Sequence, residues 1–146
     1  VIHGVGNVSL DDVAAAVSGC AHFTIFELRD AALAAEIPRA LQMIRTLRAE
    51  GTPAAIVLWA MAREVRLAAS VAETLNRGEP PAVLFNRVKP PVWKSRQQLI
   101  VKAARRLPLQ RWHNLTSRLA QADQAVKSHG DPWILMEQSL LQMRTA

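Results

Sequence analysis

The sequence predicts an all-α helical bundle of about seven helices with no sheet. Three observations carry that reading. Ala and Leu dominate an apolar content of 50%, while aromatic residues are scarce: four Trp, three Phe and no Tyr. Ala and Leu lose little conformational freedom in a helix, whereas strands favour β-branched and aromatic residues. Apolar positions recur at three- and four-residue spacing, the period of one helix face. Finally, Pro and Gly fall between the periodic stretches, where helices start and stop.

Taken in order, Ser9 with Asp11 and Asp12 reads as a helix start, followed by Val13 and Val17 on one face and a stop at Gly19. Thr24 and Glu27 have capping-box spacing for a second helix reaching about Ala35, with Phe23 placed to staple onto Leu28. Pro38 suits the first residue of a third helix, whose stripe is Leu41, Ile44 and Leu47 and whose end is Gly51. Thr52 and Pro53 are read as N-cap and first residue of the longest helix, to about Arg77. There Leu58, Met61, Val65, Ala68, Ala72 and Leu75 keep helical period, and Ile56, Val57 and Trp59 make the first turns apolar nearly all round. A helix apolar on several sides belongs at the centre of a bundle.

The stretch from Gly78 to Pro91 holds four prolines and is read as irregular, with one short apolar run from Val83 to Phe85. Trp93 to Leu107 then predicts a helix with Ile100, Ala103 and Leu107 inward. Pro108 opens the next, with Leu109, Trp112, Leu115 or Thr116, Leu119, Ala122 and Val126 along it. His129 and Gly130 end that helix, and Asp131 and Pro132 cap a last one carrying Trp133, Met136, Leu140 and Met143. Trp59 and Trp112 are assigned to the core. Trp93 and Trp133, near helix starts, suit a core edge or a partner surface, with core preferred.

The chain is 146 residues long, enough for one domain with its own apolar core and a fragment of a second. A single cysteine, Cys20, forms no internal disulfide and fits a reducing compartment such as the cytoplasm. The most apolar stretch, 54–62, ends at Arg63 and Glu64, far short of the roughly 20 residues that span a bilayer. No membrane partner is therefore expected. The first residue is Val rather than Met, which suggests that the sequence begins inside a longer protein.

Catalytic and cofactor patterns are missing from the sequence. The four histidines, His3, His22, His113 and His129, never approach metal-ligand spacing, and no second Cys completes a zinc set. There is no nucleophile elbow and no glycine-rich phosphate loop followed by Lys and Ser or Thr. The expectation is a non-catalytic domain that takes neither a cofactor nor a metal.

Charge supplies the remaining signal. The formal net charge is +6, yet residues 80–122 hold nine basic and no acidic side chains, so the excess lies in that one segment. Lys94, Lys102 and Arg105 are placed to share part of a helix face with Arg96 nearby, and Arg106 and Arg111 flank the corner at Pro108. These six are the candidate contact residues. A basic segment of this kind meets an acidic protein neighbour, binds nucleic-acid phosphates, or is simply a solvated face.

Ala21-His22-Phe23-Thr24-Ile25-Phe26 resembles the segment opening the collar domain of the bacterial DNA polymerase III delta subunit, a clamp-loader component. The similarity continues through Asp30-Ala31-Ala32-Leu33 and Arg39-Ala40-Leu41. It is strongest over Leu47-Arg48-Ala49-Glu50-Gly51, Pro53, Leu58 and Ala62-Arg63-Glu64. Weaker matches follow at Val92-Trp93, Arg96, Leu119, Asp123, Lys127 and Trp133. The Pro-rich linker from Glu79 to Pro91 departs from the pattern.

The resemblance implies a division of labour. Residues 1–20 correspond to the end of a lid-like middle domain of the AAA+ type, and residues 21–146 to a helical collar used for oligomerisation. The implied partners are the gamma or tau and delta-prime subunits, whose collars join in a five-membered ring. The sliding clamp is contacted by an N-terminal domain outside this sequence. The implied role is assembly of the loader that opens and loads the clamp in DNA replication, in the cytoplasm, through a subunit that is not itself catalytic. The alternative is a basic helical domain contacting DNA phosphates through residues 80–122.

Overall fold

The computed structural model describes residues 21–144, with side chains from Ile25 onward. Seven helices and no strand occur among them: α1 (Ala21–Leu33), α2 (Ile37–Ala49), α3 (Ala54–Asn76), α4 (Pro81–Phe85), α5 (Lys94–Arg106), α6 (Leu109–Lys127) and α7 (Pro132–Gln142). The helix read from Ser9 to Gly19 lies outside the described residues.

The long helix α3 is the axis of the bundle, and it packs against α1, α4, α5, α6 and α7. Val57, Leu58, Met61, Val65, Ala68, Val71 and Ala72 are all buried, so apolar side chains leave α3 in several directions, as its sequence requires. Ala60, Ala68, Ala69 and Ala72 keep the surface of α3 low, so neighbouring helices can approach closely. Its main neighbour is α6, which contributes Trp112, Leu115, Leu119 and Ala122 at helical spacing. Trp112 is 1% exposed and donates its indole N–H to the carbonyl of Ala104 at 3.3 Å, which satisfies its one polar atom inside the core. Each such large side chain contributes roughly 1.5–3 kcal/mol by leaving water. The helices α1 and α2 form a hairpin, and α7 closes the bundle across α2 and α6.

Helix ends follow the sequence in some places and depart from it in others. Asp131 caps α7 as read, accepting from the backbone N–H of Trp133 at 3.0 Å. Gly51 ends the α2 turn at φ +82°, a conformation that suits a residue without a side chain. The α1 helix starts at Ala21 and stops at Leu33, so Thr24 sits inside it rather than at its cap. Its following turn uses Ala35 at φ 60°, a left-handed position filled without glycine. Thr52 is not the cap of α3: Pro53 holds that position, and the Thr52 hydroxyl is buried without a hydrogen-bond partner.

Two other readings need correction. The stretch read as irregular contains α4, a short helix whose first residue, Pro81, is preset for a helical start and whose Phe85 is buried. Trp93, given to the core, is 80% exposed, because it precedes α5 at the N-cap with its side chain outside the packing face. Val126 at the end of the α6 stripe is also exposed.

Candidate functional site

The six basic residues singled out by charge divide into two groups of three. Arg96 turns inward from α5. Its guanidinium bonds the carboxylates of both Asp30 on α1 and Glu64 on α3. Glu64 also faces Arg29, whose Nε lies 3.7 Å from its Oε1, and both side chains are buried. The Arg29 guanidinium in turn sits 4.4 Å from the ring centroid of Phe26. This network ties α1, α3 and α5 together.

Arg106 donates to the backbone carbonyl of Leu33 at 2.8 Å, closing the C-terminal end of α1, whose last carbonyls lack helical partners. Arg111 donates to the carbonyls of Gln142 and Arg144, both at 3.3 Å, and serves the end of α7 in the same way. These three arginines are used inside the fold.

Lys94, Lys102 and Arg105 behave differently. They stand along one face of α5 at helical spacing, and no carboxylate among the described residues lies within ion-pair distance of them. The buried face of α5, Ile100, Ala103 and Ala104, points the other way. The helix α4 lies alongside, and Pro81, Ala82 and Phe85 with Val101 make the apolar lining of a groove of about 490 Å³. Gln97 and Gln98 complete it with amide groups. The groove is therefore apolar within and cationic at its edge. The α5 row was legible from spacing. The α4 wall was missed, although Pro80-Pro81 ahead of an apolar run carries the mark of a helix start.

A second concavity of about 500 Å³ lies between α3 and α6, lined among others by Ile56, Trp59, Ala62, Leu119 and Ala120. Trp59, read as core, is half-buried on its wall, with the Arg63 guanidinium 5.8 Å from its ring centroid. No group of three or more His, Cys, Asp or Glu among the described residues could hold a metal ion. The His113 ring nitrogen Nε2 lies 2.9 Å from Glu73 on the exposed surface between α6 and α3. No helix among these residues is long and apolar enough to cross a membrane.

Comparison with known proteins places similarity over nearly all of the described bundle. The family model described as DNA polymerase III delta subunit, C-terminal domain, matches residues 22–143. The chain is 33% identical over 102 residues to DNA polymerase III subunit delta of Escherichia coli (strain K12), a match covering 70% of this chain. It spans 29% of that relative's length.

Proposed function

This chain belongs to the family formed by the C-terminal domain of the DNA polymerase III delta subunit, and on that premise we propose that its bundle is the collar of a clamp-loader subunit. The single observation carrying the proposal is the coincidence of the family match, residues 22–143, with the helical bundle itself. In this reading residues from about 21 onward are the collar and residues 1–20 are the end of a lid-like AAA+ domain. The collar joins those of gamma or tau and delta-prime in a five-membered ring, and the rest of a full-length delta subunit opens the sliding clamp. The bundle contributes surface and charge to the ring, with catalysis left to other subunits of the polymerase, in the cytoplasm at the replication fork.

Ring assembly asks for apolar side chains on an outer face and for charges that fix register. The α3/α6 concavity with Trp59 supports the first requirement, and the basic face of α5 supports the second. The test is co-elution of this chain with purified gamma or tau and delta-prime subunits. Comigration is expected, and failure to comigrate with either partner at micromolar concentration removes the proposal. Of the six candidate cations, the DNA-phosphate reading of residues 80–122 keeps Lys94, Lys102 and Arg105, since Arg96, Arg106 and Arg111 are engaged internally; titration with an oligothymidylate decides it.

A further inference from the structure

The row on α5 contrasts with the cations that stitch the surface of the bundle elsewhere. Arg39, Arg45, Arg48, Arg77 and Lys127 are all exposed, and each stands against a carboxylate. Among the described residues Lys94, Lys102 and Arg105 have none, and 94–106 contains no acid to relieve them. Lys102 and Arg105, three residues apart on one helix, repel each other rather than pair. Such a row is an arrangement that an anionic neighbour would relieve.

The lining narrows the chemistry of that neighbour. A groove built for phosphates alone has no use for Pro81, Ala82, Phe85 and Val101 along its length. A single-stranded nucleic acid needs exposed aromatic faces on which bases stack. Phe85 is 6% exposed and offers no such face, and the exposed Trp93 belongs to a different concavity, with Phe26, Arg63 and Pro91. From Lys94 to Arg105 the helix rises about 16 Å at ~1.5 Å per residue. An extended peptide at ~3.3 Å per residue covers that distance with about five residues.

We propose that the α4/α5 groove docks a short acidic segment of a partner protein, extended along α5, with an apolar side chain set against Pro81, Ala82 and Val101 and its carboxylates on Lys94, Lys102 and Arg105. This site does not depend on the collar assignment, and its test reads peptide binding rather than ring assembly.

Fluorescence anisotropy on the whole chain tests it, with a labelled Asp-Glu-Leu-Phe-Glu-Asp peptide, the same peptide carrying Ser-Ser in place of Leu-Phe, and an oligothymidylate of similar net charge. The first peptide should bind, and the Ser-Ser peptide should bind about tenfold more weakly, as loss of one or two buried side chains implies. The double variant K102E/R105E should weaken the first peptide by on the order of a hundredfold, about tenfold for each charged contact. K102Q/R105Q removes the charges with less perturbation of α5, and should weaken it in the same direction. R66E, on the surface of α3 and equal in charge change to K102Q/R105Q, should leave affinity within about twofold. Circular dichroism confirms that each variant is folded. The proposal is overturned if the first peptide does not bind at low salt, if both peptides bind equally, if the α5 variants bind like the parent, or if the oligothymidylate binds as tightly as the first peptide.

Discussion

Replacing Glu64 with Leu tests how the helices are held together. Glu64 is buried in the middle of α3 and faces Arg29 from α1 and Arg96 from α5. Its removal takes away the carboxylate 3.7 Å from the Arg29 Nε, on a side chain that is 7% exposed. Breaking a buried ion pair by removing one partner costs about 3–5 kcal/mol, because the remaining charge stays desolvated with less to offset it. Two features place this site at the lower end: Arg29 keeps the face of Phe26, and Arg96 keeps Asp30. A loss of about 3 kcal/mol is expected, which lowers Tm by roughly 6–12 °C in a chain of this size. Thermal unfolding followed by circular dichroism measures it. A double-mutant cycle with Arg96→Met should be non-additive by about 1 kcal/mol or more, the scale seen for residues in one network. If Glu64→Leu moves Tm by less than about 2 °C, or the two changes add, the network does not hold α1 and α5 on α3, and the reasoning is wrong.

Two further outcomes follow from the same geometry. Adjacent arginines at the end of α5 should respond differently to truncation: Arg106→Ala loses the bond to the Leu33 carbonyl and should cost about 1–3 kcal/mol, whereas Arg105→Ala should stay within about 0.5 kcal/mol in urea unfolding. Trp93→Ala should also leave stability within about 0.5 kcal/mol. It should remove most of the iodide-quenchable tryptophan fluorescence, since Trp93 is 80% exposed; unchanged quenching would place its ring against the fold.

The sequence revealed most of the fold because period and punctuation are local. Leu58, Met61, Val65 and Ala68 announce a buried helix without reference to anything distant, and Asp131 announces the start of α7 through a bond two residues away. The α4 helix was hidden by its length, since five residues carry no helical period and the surrounding prolines read as loop. The polar interior was hidden for another reason. Arg96 meets Asp30 across 66 residues of chain and Glu64 across 32, and no local pattern distinguishes it from Lys94 two positions earlier. Charge counting therefore found the basic segment but merged internal ties with groove-facing cations. Only the packing of α5 separates Arg96 and Arg106, which end on oxygen atoms of the fold, from Lys102 and Arg105, which line the groove. The exposure of Trp93 follows from its place at an N-cap, where a side chain projects ahead of its helix's packing face.

The collar assignment is tested most directly by mixing this chain with gamma or tau and delta-prime subunits and measuring the mass of the product by size-exclusion chromatography with light scattering. A complex that contains this chain together with both partners is expected. Elution of this chain at its own mass, with the partners assembling without it, would rule out a role as a collar.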